Sequence, residues 1–170
     1  MADPRKIYWD SCVWIAVIND EQDRAPVCRD LIEQAKAKKV EIWTSSLSLA
    51  EVVKRKCGQT AAAIDPTQDE NFEDIILQDW VYEVQLDHEI GVQARRLLRA
   101  HPVLKKPMDA VHLATALRHN VDEMHTFDGE NLLSLSGKVN RQDGVPLQIV
   151  TPRTEPGFQP PLLSVVNENT

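Results

Sequence analysis

Lys106-Pro107-Met108-Asp109-Ala110-Val111-His112-Leu113-Ala114-Thr115-Ala116-Leu117, followed after a short turn by Glu123-Met124-His125-Thr126-Phe127-Asp128-Gly129, decides how this chain folds. Proline at the front of an apolar, alanine-rich run marks a helix entrance, because its fixed φ suits the first turn and its missing N–H is not needed there. Asp109 stands just inside that entrance, facing the electropositive end of the helix dipole. The second segment reads as a strand running out into a loop, with Asp128 at its carboxyl end. In α/β proteins the carboxyl ends of parallel strands and the adjoining helix starts form one edge of the sheet, so the two acids are expected together there.

Earlier in the chain the same alternation recurs. Ile7-Tyr8-Trp9 is β-favouring and runs into Asp10-Ser11, after which Cys12 to Ile18 suits a short buried helix. Apolar residues at helical spacing predict an amphipathic helix from about Ala25 to Lys39, and Val40 to Thr44 reads as a second strand. Ser45 to Lys56 is expected to be helical, with Glu51 inside it and the basic run Lys54-Arg55-Lys56 at its carboxyl end. Gly58 to Asp69, which contains Asp65-Pro66, reads as a turn-rich loop or insertion. A helix over Asn71 to Asp79 and a third strand over Trp80 to Leu86 follow, then a helix capped by Asp87 and reaching about Ala100.

Beyond Asp128, Leu147 to Val150 makes a fifth strand, and prolines at 152, 156, 160 and 161 end regular structure. The expected organisation is one domain over residues 1–150 and a proline-rich tail over 151–170. Strands alternating with helices predict an α/β, three-layer α/β/α domain with a mainly parallel five-stranded sheet and right-handed crossovers.

Composition narrows the function. The chain has 170 residues, enough for one core, and its 26 acidic and 19 basic residues give a formal charge of -7. No global positive field therefore draws it to nucleic acid or anionic membrane. Cys12, Cys28 and Cys57 are widely spaced and contain no C-x-x-C pair, against a disulfide framework or a structural zinc. No apolar run is long enough to span a bilayer, and the expectation is a soluble cytoplasmic protein with no membrane association.

Asp10, Glu51, Asp109 and Asp128 all lie in apolar surroundings at or near one edge of the expected sheet. Each has a purely structural alternative. Ser48-Leu49-Ala50-Glu51 fits a capping box, Asp109 a first-turn acid, and Asp10 and Asp128 residues that end strands. Together, however, four ionised carboxylates need a counter-charge, because like charges a few ångströms apart raise one another's pKa. Oxygen donors of this kind suit Mg²⁺ or Mn²⁺, ions able to activate water and stabilise a departing alkoxide in phosphodiester hydrolysis.

At this point the chain resembles the PIN domain, and particularly the PIN-type ribonucleases that act as toxins in bacterial toxin–antitoxin pairs. The matching residues are Tyr8-Trp9-Asp10-Ser11, Thr44-Ser45-Ser46-Leu47-Ser48-Leu49-Ala50-Glu51-Val52, Asp109-Ala110-Val111-His112-Leu113-Ala114 and Thr126-Phe127-Asp128, in the family's order over roughly Ile7 to Val150. The resemblance implies strand order 3-2-1-4-5 and a metal-dependent endoribonuclease that uses Mg²⁺ or Mn²⁺. It implies Asp10, Glu51, Asp109 and Asp128 as metal ligands and catalytic acids, with Ser11 and Thr126 as supporting hydroxyls and Glu130 as an auxiliary acid. RNA is the implied substrate, and an antitoxin protein and a homodimer are implied partners.

Other residues invite roles of their own. His112, one turn after Asp109, reads as a hydrogen-bonded core or supporting histidine, and His125 is ambiguous in the same way. Lys54, Arg55, Lys56, Arg95, Arg96, Arg99, Lys105 and Lys106 either grip phosphates or coat solvated helix faces. Trp9, Trp14, Trp43 and Trp80 read as packing residues rather than base-stacking ones. Two other functional classes compete: a catalytically silent PIN-like module that binds RNA or protein, and a phosphatase of the haloacid-dehalogenase type. The latter normally needs a second acid two residues after the first, where Cys12 stands.

Overall fold

The structure, a computed structural model, describes residues 3–53 and 63–154. Five parallel strands form one sheet: β1 (Arg5–Trp9), β2 (Val40–Ser45), β3 (Val81–Val84), β4 (Glu123–His125) and β5 (Gln148–Val150). Their order is β3-β2-β1-β4-β5, as the resemblance implied. Helices α1 (Ser11–Ile18), α2 (Ala25–Lys36), α3 (Leu47–Glu51), α4 (Pro66–Ile76), α5 (His88–Ala100) and α6 (Pro107–Arg118) connect them.

Alternation along the strands divides the core between the two faces of the sheet. Ile7, Trp9 and Ile42 pack with α1, α2 and α4, whereas Tyr8, Met124 and Ile149 pack with α5 and α6. Both faces of a parallel sheet must be covered, and the apolar sides of these helices cover them. Trp9 and Trp14 meet edge to face with centroids 4.8 Å apart inside the first core, so these two are packing residues as expected. Trp43 and Trp80 are only half-buried.

Three expectations about elements need correction. The helix expected over Ser45 to Lys56 is the five-residue α3, which ends at Glu51 because Val52 leaves helical geometry at ψ 63°. Lys54, Arg55 and Lys56 lie outside the described residues, as does Cys57. Asp65-Pro66 belongs to no loop: the Asp65 carboxylate accepts from Thr67 N at 3.0 Å and Pro66 is the first residue of α4, which thus starts five residues before the expected Asn71. Third, β3 is shorter than Trp80 to Leu86 and shows no clean alternation of burial. The boundary at residue 150 falls where β5 ends, and residues 155–170 of the expected tail lie outside the described residues.

The order β3-β2-β1-β4-β5 puts β1 and β4 side by side at the centre, joined beyond their ends by Asp10 N donating to His125 O. The chain leaves β1 into α1 at Asp10 and leaves β4 at Thr126. The start of α6 comes to the same edge, and a cleft opens there.

Candidate active site

Asp10, Glu51, Asp109 and Asp128 line one cleft, brought to it by the end of β1, the end of α3, the first turn of α6 and the segment after β4. Glu130 lines it as well. Its volume of about 1320 Å³ exceeds the roughly 300–1,000 Å³ of ordinary small-molecule pockets, which suits a chain-like substrate.

Asp10 is buried and caps α1, its Oδ1 accepting from Val13 N at 3.2 Å. The structural alternative for this residue is therefore real, but it accounts for only part of the carboxylate. Burial pushes its pKa up to about 6, against the opposing pull of His112, the Thr126 hydroxyl and the Val13 amide. Asp109 is also shifted upward, first by burial and then by the neighbouring Asp128 and Glu51 carboxylates, with Lys106 and His112 acting against them. Its Oδ2 is buried and has no hydrogen-bond partner among the described residues. A first-turn acid serving only as a cap would have spent that oxygen on a backbone amide.

Glu51 is held differently. Its Oε2 accepts from the Ser11 hydroxyl and lies 2.6 Å from His112 Nε2. Burial works against the charged form, yet the hydrogen bond and charge of His112, the Ser11 hydroxyl and Lys106 outweigh it and leave the pKa lowered. The capping-box alternative fails here, since Ser48 lies inside α3 and pairs with Thr44 Oγ1 at 3.0 Å instead.

His112 links this carboxylate to the core. Its Nδ1 lies 2.7 Å from the hydroxyl of Tyr8, which is fully buried and has its pKa raised well above the ordinary value by that burial. Tyr8 thus stays a phenol, and its hydroxyl and the Glu51 carboxylate take the two ring nitrogens of His112 from opposite sides. Ser11 Oγ lies 3.1 Å from the same Nε2. His112 is the hydrogen-bonded, buried histidine that was expected, and Tyr8, which the sequence places in the matching stretch Tyr8-Trp9-Asp10-Ser11 without a role of its own, is its partner.

Thr126 accepts from Asp128 N at 3.0 Å and hydrogen-bonds Asp10, so one hydroxyl braces two of the acids. Asn131 Nδ2 donates to Asp128 Oδ2 at 3.4 Å. His125 has no part in the cleft: it is buried beside Glu123, with Nε2 3.1 Å from Glu123 Oε2. Among the basic candidates Lys106 lines the cleft, whereas Arg95, Arg96 and Arg99 sit exposed on α5 away from it.

The donor set fits a hard divalent cation. All four groups are carboxylates, one carries a buried oxygen without a partner, and two are pushed towards protonation by burial and mutual repulsion. A cation beside them would supply the missing counter-charge. As placed, no three His, Cys, Asp or Glu side chains among the described residues are drawn together into a ready-made ligand group.

Arg24 and Phe127 also line the cleft, and sequence reasoning missed both. An arginine ahead of a Pro-containing helix start and a phenylalanine at a strand end each have an ordinary local explanation, so no sequence signal joined them.

The model of the PIN domain family matches residues 7–135. Among solved structures, VapC20 of Mycobacterium tuberculosis, described as a sarcin–ricin loop cleaving toxin, is 20% identical with a TM-score of 0.58, covering 75% of this chain and 94% of that one. A toxin–antitoxin complex from Klebsiella pneumoniae is 17% identical with a TM-score of 0.55, covering 88% and 99%. VapBC2 of Rickettsia felis, bound to a DNA fragment from its promoter, is 16% identical with a TM-score of 0.53, covering 85% and 98%. Identities this low establish the shared α/β fold. No curated protein matches the sequence.

Proposed function

The chain belongs to the PIN domain family, and from that premise we propose that it is a Mg²⁺- or Mn²⁺-dependent endoribonuclease, the toxin of a toxin–antitoxin pair. The observation that carries this reading is the arrival of four carboxylates from four separate elements in one cleft, one of them with a buried, unpartnered oxygen.

In this reading Asp10, Glu51, Asp109 and Asp128 hold the ion. When bound, it supplies charge stabilisation to the phosphoryl oxygens and the departing oxygen, and lowers the pKa of the attacking water. The remaining work belongs to the chain. Thr126 fixes Asp10 and the Asp128 backbone relative to each other. Ser11 and His112 aim Glu51 into the cleft and keep it ionised. The dipole of α6 favours the charged form of Asp109 against its burial. Lys106, exposed at the start of α6, lends positive charge where an RNA phosphate must approach a wall of acids.

The toxin assignment draws on the solved neighbours, of which one is a toxin–antitoxin complex and another a VapBC pair. An antitoxin protein is accordingly the proposed partner, and a homodimer the proposed assembly.

Incubating the purified protein with a mixed RNA pool, Mn²⁺ or EDTA, beside Asp10→Asn, tests the enzyme reading. Cleavage should require the metal and fall by about 10²- to 10³-fold in the variant, as expected when a group that supports the transition state electrostatically is removed. Absence of hydrolysis with every divalent metal, together with RNA binding that survives the substitution, would establish the silent binding module instead.

A further inference from the structure

Among the described residues, the cleft is lined by Asp10, Glu21, Glu51, Asp109, Asp128 and Glu130, with Arg24 and Lys106 as permanent cations. Base stacking is a source of affinity for RNA beside phosphate attraction. Arg24 and Phe127 offer a surface for it. The Arg24 guanidinium carbon lies 4.7 Å above the centroid of the Phe127 ring, and that ring is half-buried against the α1–α2–α4 core. Glu21 Oε2 accepts from Arg24 Nη1 at 3.3 Å, while 48% of the arginine side chain stays exposed. Arg24 thus brings a planar guanidinium to the cleft, seated over the aromatic ring immediately before Asp128 in the chain.

Deepening the nuclease reading, on which it rests, we propose that Arg24 and Phe127 form a nucleobase subsite where one unpaired base of the RNA stacks on the open face of the guanidinium. Bases stack on arginine planes as they do on aromatic rings, whatever their identity. A base inside a duplex has both faces covered by its neighbours and cannot take this place. One base of the strand thus sits stacked at the Phe127 wall beside the acids.

The test measures binding of a short single-stranded RNA carrying 2-aminopurine at successive positions, and of the same RNA as a duplex. It uses the Asp109→Asn protein, so that hydrolysis does not interfere. One position should be quenched on binding, and the duplex should bind more weakly. Arg24→Lys keeps the charge but removes the plane, and should weaken binding by about 5- to 100-fold and abolish the quenching with the salt dependence unchanged. Phe127→Leu should do the same; Arg24 is exposed, so its variant is free of folding effects that Phe127→Leu risks. Unchanged affinity and quenching in Arg24→Lys, equal binding of the duplex, or no binding of the single strand would each overturn the subsite. The nuclease reading is judged separately, by Mn²⁺-dependent cleavage in the otherwise unaltered protein. Cleavage with no dependence of binding on Arg24 leaves that reading standing without the subsite, and Arg24-dependent binding without cleavage leaves the subsite on a silent module.

Discussion

At the scale of single residues the site depends on how Glu51 is held. It ends a helix of only five residues, too short to fix a side chain by itself, and its orientation comes from Ser11 and His112. His112 is in turn fixed by Tyr8, a residue that does not itself line the cleft. Tyr8→Phe removes the hydrogen-bond partner of Nδ1 and leaves a buried ring nitrogen unpaired, at a cost of about 1–3 kcal/mol in stability. Partners of this kind behind metal-binding groups typically change activity about 10- to 100-fold when removed. The expected outcome is a folded variant with kcat reduced about tenfold or more and KM for RNA little changed, read by denaturant unfolding and cleavage kinetics. Asp10, Asp109 and Asp128 were legible in the sequence because each follows a local signal, a strand end or a proline-led helix start. The Tyr8–His112–Glu51 chain was not, since its links span 104 and 61 residues and only folding brings them together.

At the scale of elements, β4 is tied to its surroundings through one buried carboxylate. Glu123 receives Arg153 Nη2 at 2.6 Å from the segment after β5, Arg5 Nη1 at 3.5 Å from β1 and the His125 ring within its own strand. The hydrogen bond from His125, with those from the arginines, pulls its pKa down to about 2 despite burial. A carboxylate depressed in the folded state adds stability that is fully present above its ordinary value of 4.5 and disappears as the pH falls through the folded value. The window runs from about pH 4.5 down to about pH 2, and the contribution is about 3 kcal/mol. Unfolding free energies from pH 6 to pH 2 should show a difference between the native sequence and Glu123→Gln that shrinks by about that amount across this window. A constant difference would mean that the ion pairs contribute nothing.

The elements also show where local reading stops. Lys106-Pro107 was read correctly as a helix start, and Asp65-Pro66, which is the same signal with a better cap, was read as a breaker. The difference lay in what followed: α6 continues into an alanine-rich apolar run, whereas α4 continues through Thr67-Gln68-Asp69-Glu70 and buries only Phe72 and Ile76. A polar helix held by two side chains gives little periodicity to detect. The end of α3 was missed for the opposite reason, because apolar spacing through Val52 and Val53 continued after the backbone had left the helix.

For the molecule as a whole, a sheet ordered β3-β2-β1-β4-β5 puts its two central strands side by side and opens a cleft beyond their carboxyl ends. This was the most legible level, because alternating strands and helices leave few topologies and the four acids mark one edge. What the sequence could not supply was the contents of the cleft besides its acids, notably the Arg24–Phe127 stack, whose partners come from opposite sides of the chain's order. Asp10, Glu51, Asp109 and Asp128 are proposed to act as one cation site. Calorimetric titration of Mn²⁺ into the metal-free protein and into Asp109→Asn at neutral pH tests this directly. Saturable binding is expected in the first and at least a tenfold loss of affinity in the second; equal affinity in both, or no binding in either, would contradict a shared cation site.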